Sequence, residues 1–282
     1  MTLLVSTEWL AARLDHPGIA VLDATFHLAS AGRDPHREFE AGHIPGARFL
    51  DLPSLADDTS PVPSALPRPE QLQERLRALG VNAGDHLVLY DDSTLRTAAR
   101  AWIMARTAGL ANVSVLDGGM EKWRAEGRPV EAGPAVAAPG TIVLTAAPHD
   151  LVRTKADMLG NLDSGLEQVV DARDAGRFTG AVEDAVHGLP GGHIPGARHL
   201  FFRDVLAPGG TFLPPEQLRA RFAEAGIDLE KPLTASCGSG VTASVVLLAA
   251  ALAGKHDAAL YDGSWSEWGA DPATPKETGA AR

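Results

Sequence analysis

Short apolar runs recur along the chain, each followed by a polar turn and then by apolar residues at helical spacing. Val21-Leu22-Asp23-Ala24 and Val169-Val170-Asp171-Ala172 are two such runs, and Leu87-Val88-Leu89-Tyr90 and Leu233-Thr234-Ala235-Ser236 are two more. Their length and bounding turns predict buried strands. Pro69-Glu70-Gln71-Leu72 and Pro215-Glu216-Gln217-Leu218 predict helix starts. Proline suits the first helical turn, where its missing N–H is not needed, glutamate meets the positive end of the helix dipole, and Gly80 and Gly226 end the runs. An Ala-rich helix follows each of the later strands. Leu116-Asp117-Gly118-Gly119 with Trp123, and Tyr261-Asp262-Gly263-Ser264 with Trp268, close the two series.

The pattern is a duplication. Gly42-His43-Ile44-Pro45-Gly46-Ala47-Arg48 recurs residue for residue as Gly192-His193-Ile194-Pro195-Gly196-Ala197-Arg198, and the elements around it come in the same order. Each half reads strand, loop, helix, strand, helix, strand. This predicts two tandem α/β domains, each a mostly parallel sheet flanked by helices, over residues 1–135 and 150–282. The Pro/Gly/Ala-rich stretch Pro129–Gly140 has linker composition, and Asp271–Arg282 reads as a polar, mobile tail.

Composition narrows the function classes. The 282 residues are 45% hydrophobic and 22% charged, which is ordinary for a globular protein, and 25 basic against 36 acidic residues give a formal net charge of −11. Such a surface repels polyanions, so neither nucleic acid nor an anionic membrane is expected as a partner. The longest apolar run, Val241–Gly254, is well short of the roughly 20 residues that span a bilayer, and the N-terminus lacks the pattern of a signal peptide. The single cysteine, Cys237, excludes an intrachain disulfide and a Cys-x-x-Cys metal or redox motif, and suits a reducing compartment. A cytoplasmic protein is expected.

Alignment of the halves sets Asp91 opposite Cys237, so one copy alone can do thiol chemistry. In Ser236-Cys237-Gly238-Ser239-Gly240-Val241-Thr242-Ala243 the cysteine ends a strand and precedes a Gly-rich turn and an apolar helix. Glycines let successive backbone N–H groups curl toward one point, and the helix adds the positive end of its dipole, an environment that favours thiolate. The bland alternative, a buried small hydrophobe, is the usual fate of a lone cysteine. Thr242 serves the loop or merely caps the helix. His43 and His193 occupy identical turns in both copies and are read as structural. Trp265 and Trp268 line a pocket or belong to the core. Asp171 orients loop amides or caps its own turn.

The Cys-Gly-Ser-Gly-Val-Thr loop, the repeated Gly-His-Ile-Pro-Gly-Ala block and the closing Asp262-Gly263-Ser264-Trp265 with Trp268 resemble the tandem-domain rhodanese family of sulfurtransferases, and the loop is most similar to that of the 3-mercaptopyruvate sulfurtransferases. The resemblance spans nearly the whole chain. It implies an inactive first domain and an active second one, whose cysteine takes sulfur from a small-molecule donor as a persulfide and passes it to a thiophilic acceptor such as cyanide, a thiol or a protein. It implies no metal and no organic cofactor. Cys237 and Ser239 become the catalytic residues. Gly238, Gly240, Val241 and Thr242 become the loop that cradles the anionic sulfur, and Arg177 falls where the family keeps an arginine for the donor's anionic end.

Three departures bear on the donor. Val186 stands where the mercaptopyruvate enzymes carry a second arginine, and Pro53 and Ser64 stand where they carry an aspartate and a histidine that relay protons with the loop serine. His187, next to Val186, restores part of the positive charge if protonated. Thiosulfate is the alternative donor, although the family's thiosulfate enzymes have basic residues after the cysteine and Gly238 and Ser239 are uncharged. A cysteine phosphatase would need an arginine six residues after its nucleophile, where this chain has Ala243. A non-catalytic rhodanese-like binding module is the alternative from a different class.

Overall fold

The computed structural model describes residues 2–144 and 151–281, so the expected domain start at residue 150 and the end residues Met1 and Arg282 lie outside the described residues. The chain divides into two compact units. One comprises Met1–Ala56, Leu66–Pro148 and Pro208–Thr211, the other Asp57–Ala65, His149–Ala207 and Phe212–Arg282.

In the first unit the strands are β1 (Leu4–Val5), β2 (Ile19–Asp23), β3 (Arg48–Phe49), β4 (His86–Tyr90) and β5 (Val113–Leu116), and the helices are α1 (Thr7–Ala11), α2 (Pro35–Ala41), α3 (Pro69–Ala78), α4 (Ala98–Thr107) and α5 (Gly119–Ala125). The second unit repeats the series with β6 (Val152–Arg153), β7 (Gln168–Asp171), β8 (Arg198–His199), β9 (Leu233–Ser236) and β10 (Ala259–Tyr261), and with α6 (Lys155–Ser164), α7 (Ala175–Thr179), α8 (Pro215–Glu224), α9 (Val241–Leu252) and α10 (Ser264–Trp268). The sheets run in the orders β1-β5-β4-β2-β3 and β6-β10-β9-β7-β8, with every neighbouring pair parallel. The three longer strands of each half, β2, β4 and β5 and then β7, β9 and β10, are thus as expected in kind. The two-residue strands β1, β3, β6 and β8 were not anticipated, because two residues carry no periodicity.

The central strands are buried on both faces, as the crossover helices of a parallel sheet require. Helix α9 is apolar on every side, and its residues from Thr242 to Ala251 are all buried. In the second core Met158, Phe178, Ile194, Tyr261, Trp265 and Trp268 pack together. Trp265 and Trp268 therefore belong to the core, and the pocket-lining alternative for them is set aside.

Two segments differ from their sequence reading. In the stretch with linker composition, Glu131 pairs its backbone with His43, and Gly140 N–H donates to Arg77 at 2.7 Å. In the tail expected to be mobile, Glu277 pairs its backbone with His193, Thr274 is buried, and Pro275 accepts from the indole of Trp268 at 2.8 Å. The same stitch thus closes both repeats. The Glu131 carboxylate accepts from Gly46 N–H, and that of Glu277 from Gly196 N–H. Polar composition concealed the order because these contacts are made by backbone groups and by glutamates, which sequence periodicity does not report.

The histidines of the repeated block behave as structural residues in both copies. His43 Nδ1 is 2.8 Å from Phe39 O and its ring stacks on Phe39, and His193 Nδ1 is 2.8 Å from Phe178 O with its ring on Phe178.

Candidate functional site

The order of the second sheet determines where chemistry can sit. From β7 the chain goes outward to β8 and then returns to β9 on the other side of β7, so a crevice opens beyond the carboxyl ends of β7 and β9. Asp171 at the end of β7 pairs with Ser236 at the end of β9. Arg173, two residues past the end of β7, and Cys237, one past the end of β9, leave the sheet at the same end.

Cys237 is buried, at 2% exposure. Its N–H donates to Ser264 Oγ at 3.1 Å, and its carbonyl accepts from Trp265 N–H at 2.9 Å. Gly238 follows, its carbonyl accepting from Ser266 N–H at 2.8 Å, so α10 holds the cysteine strand from beyond its end. Ser239 is half-buried, and Gly240 takes a left-handed φ of +77° to turn the chain into α9. Val241 is the first helical residue and Thr242 the second. Gly240 is the N-cap and no side chain caps this helix, so Thr242 does not have the capping role. The first-turn N–H groups of a helix have no partners within the helix, and here they lie directly after the cysteine.

Arg173 was not singled out from sequence, yet its charge interacts with that of the cysteine. It is fully buried. Its Nε is 3.1 Å from both Asp171 carboxylate oxygens, its Nη2 is 2.6 Å from Asp171 Oδ2, and its Nη1 is 3.4 Å from Asp184 Oδ2. Its guanidinium carbon lies 4.6 Å from the ring centroid of Trp265. Burial by itself would weaken its hold on the proton, but Asp171, Asp184 and the negative charge available at Cys237 outweigh it and hold the guanidinium more firmly protonated than an ordinary arginine. Asp171 also accepts from Arg173 N–H at 2.9 Å, so of its two readings the turn-capping one holds, with the arginine added.

Arg177 lies on α7, whose N-cap Asp174 accepts from Arg177 N–H. Its Nε is 2.6 Å from Asp174 Oδ2 and its Nη1 is 3.5 Å from Asp184 Oδ1, with its side chain 21% exposed. Asp184 is thus shared. It contacts Arg173, Arg177 and, at 3.0 Å, His187 Nδ1. Burial pushes its carboxyl up, but the His187 hydrogen bond and the charges of His187, Arg177 and Arg173 outweigh that and bring it down to about 2. Val186, in place of the expected second arginine, is exposed at the tip of the same turn.

His187 lies against the cysteine loop. A methyl group placed on Gly238 would stand 2.2 Å from His187 Cε1 and 3.0 Å from each ring nitrogen, so a side chain there would displace the imidazole. No group of three or more metal-ligating side chains occurs among the described residues, and no helix among them is long and apolar enough to cross a membrane.

The Rhodanese-like domain model matches this chain twice, over residues 6–126 and 154–271. The chain belongs to the rhodanese family. It is 43% identical over 271 residues to the 3-mercaptopyruvate sulfurtransferase of Mus musculus, covering 94% of this chain and 91% of the relative. It is 40% identical over 272 residues to the thiosulfate sulfurtransferase of Cricetulus griseus, again with 94% and 91% covered. The crystal structure of the 3-mercaptopyruvate sulfurtransferase SseA from Escherichia coli superposes with a TM-score of 0.85 at 39% identity, covering 94% of this chain and 99% of that one.

The two rhodanese-like domains differ at the site itself. Where the second has Cys237, the first has Asp91, whose carboxylate accepts from Ser93 N–H at 2.9 Å and from Ala98 N–H, at the start of α4, at 2.8 Å. A carboxyl group there, its pKa raised by burial, occupies the N–H groups at the start of α4. Where the second domain has Arg173, the first has Thr25, whose hydroxyl and N–H bond Asp23. The comparison of halves that exposed Cys237 against Asp91 would also have exposed Asp171-Ala172-Arg173 against Asp23-Ala24-Thr25. Asp184 and Ser264 had no such signal, since their roles depend on which turns meet in space.

Proposed function

We propose that this rhodanese-family enzyme is a sulfurtransferase in which Cys237 is the nucleophile and the carrier of sulfur as a persulfide, with 3-mercaptopyruvate as its leading donor. The observation that carries this reading is the position of Cys237 at the C-terminal end of β9, directly before the Gly238–Gly240 turn and the N-terminus of α9, with the charge of Arg173 beside it. The outer sulfur of a persulfide is anionic, and backbone N–H groups of the loop from Gly238 to Thr242, with Ser239 among them, supply donors for it in the way an oxyanion hole serves oxygen. Arg177 holds the donor's carboxylate or sulfonate-like end, exchanging its Asp174 partner for the ligand. The acceptor is a thiophile such as cyanide, a small thiol or a protein. The first domain, with Asp91 at the corresponding place, is non-catalytic, and the lone thiol fits residence in the cytoplasm.

Loop identity and the mouse relative favour 3-mercaptopyruvate. Val186, Pro53 and Ser64, which remove residues that 3-mercaptopyruvate enzymes use, together with the Cricetulus griseus relative, favour thiosulfate as the second reading. Intact-protein mass after brief exposure to each donor, followed by cyanide or thiol, separates them. Gain of one sulfur, lost again on addition of acceptor and absent in Cys237→Ser, is the expected result. Residual turnover in Cys237→Ser would overturn the mechanism.

A further inference from the structure

His187 and Asp184 meet across a tight turn in which His187 N–H and Leu189 N–H both donate to the carbonyl of Asp184. The turn places the imidazole against Gly238, the residue after the nucleophile, with its Cε1 edge and the two flanking nitrogens toward the loop. One nitrogen, Nδ1, is engaged by the Asp184 carboxylate at 3.0 Å. That carboxylate is buried, is also held by Arg173 and Arg177, and can only accept, so Nδ1 carries hydrogen. In the neutral ring Nε2 then holds a lone pair. An imidazole with one nitrogen fixed by a carboxylate and the other basic is the arrangement that moves protons in general acid–base catalysis.

We propose that Asp184 and His187 are the proton-transfer pair of the cysteine loop, His187 moving the proton and Asp184 positioning it, in a chain whose Pro53 and Ser64 cannot. The inference rests on the sulfurtransferase reading. With 3-mercaptopyruvate, the Cys237 thiolate attacks the donor's sulfur. The S–S bond forms, the C–S bond breaks, and its electron pair stays on the three-carbon fragment as an enolate. The donor's S–H proton passes to His187 Nε2 and from there to the enolate carbon. The products are pyruvate and the Cys237 persulfide anion, with charge and protons balanced and no oxidant or reductant needed. With thiosulfate, attack on the outer sulfur expels sulfite and no proton moves. The pair therefore makes loading from a carbon-bound sulfur depend on a group that loading from thiosulfate does not use.

The groups facing this pair are the guanidinium groups of Arg173 and Arg177 on the Asp184 side and, against the imidazole, Gly238, the residue that follows Cys237 in the chain. His187 is on an exposed turn, so its replacement leaves the core intact.

The test is single-turnover sulfur loading, followed by mass, for the full chain and for His187→Ala and His187→Gln, with each donor across pH. Loading from 3-mercaptopyruvate is expected to slow about 100-fold relative to loading from thiosulfate, the lower end of what a positioned acid–base group supplies, and to lose the dependence on a basic group expected of the unaltered protein. Equal slowing with both donors would mean that the histidine only staples its turn, and would overturn the inference. So would an unaltered protein that loads from thiosulfate alone. An unaltered protein that loads from neither donor would overturn the sulfurtransferase reading itself, and the inference with it.

Discussion

The hydroxyl of Ser264 accepts the backbone N–H of Cys237 at 3.1 Å and donates to Tyr261 O at 2.9 Å, which ties the cysteine to the strand beside it. Ser264 does this from a left-handed backbone, at φ +48°. Ser264→Ala leaves a buried N–H without a partner, at a cost of about 1–3 kcal/mol. Chemical unfolding should show that loss. Sulfur loading should slow as well, since the cysteine is then held less firmly.

Arg177 is half-committed already, because its ion pairs with Asp174 and Asp184 leave the side chain 21% exposed and open to a ligand. Removal of its charge by Arg177→Ala should raise KM for the donor roughly 10- to 100-fold, with a smaller change in kcat, as expected for the loss of one charge-assisted hydrogen bond. Steady-state kinetics with both donors checks this. An unchanged KM would place the donor elsewhere.

Arg173 is bound up with stability as well as with charge. Arg173→Met strands the carboxylates of Asp171 and Asp184 in the interior, and breaking a buried pair in this way is destabilising by about 3–5 kcal/mol. Arg173→Met with Asp171→Asn and Asp184→Asn together should recover much of that stability while sulfur loading stays slow. Recovery of both would show that the guanidinium matters only for folding.

Two buried carboxyls give opposite pH dependences. Asp184, depressed from 3.8 to about 2, stabilises the fold above its unfolded value by about 2 kcal/mol, and that contribution disappears as pH falls through the folded value. Asp23 is pushed up from 3.8 to about 6, burial outweighing its hydrogen bonds with Thr25 and Tyr90. It weighs against the fold by about 3 kcal/mol above pH 6 and is relieved as pH falls toward 4. Urea unfolding at a series of pH values should show Asp184→Asn weakening the protein at neutral pH but not near pH 2. Asp23→Asn should strengthen it above pH 6, with no such gain near pH 4.

The duplication, the parallel sheets and the cysteine loop were legible because they are written in local pattern: apolar runs, helix starts and a seven-residue identity. Cys237, Gly238 and Gly240 came with the loop. Arg173 was legible in principle from the contrast with Thr25, but that contrast does not say that the arginine is buried between two carboxylates. Asp184 was out of reach. Its meaning comes from two guanidinium groups and an imidazole that reach it from the turn after β7, from α7 and from its own turn, and no spacing along the chain encodes that meeting. The order of the C-terminal residues was hidden for a related reason, since Glu277 acts through its backbone and carboxylate on a turn 84 residues earlier.

The stitches at Glu131 and Glu277 also set a timetable for synthesis. Neither half can close until its own glutamate has emerged, and the second glutamate follows 146 residues after the first. At roughly 5–20 residues per second, the stitch of the half that carries Asp91 emerges about 7–30 s before that of the half that carries Cys237. The half with the thiol is thus the later one to be stitched, and during that interval the first stitch is already available to its nascent chain.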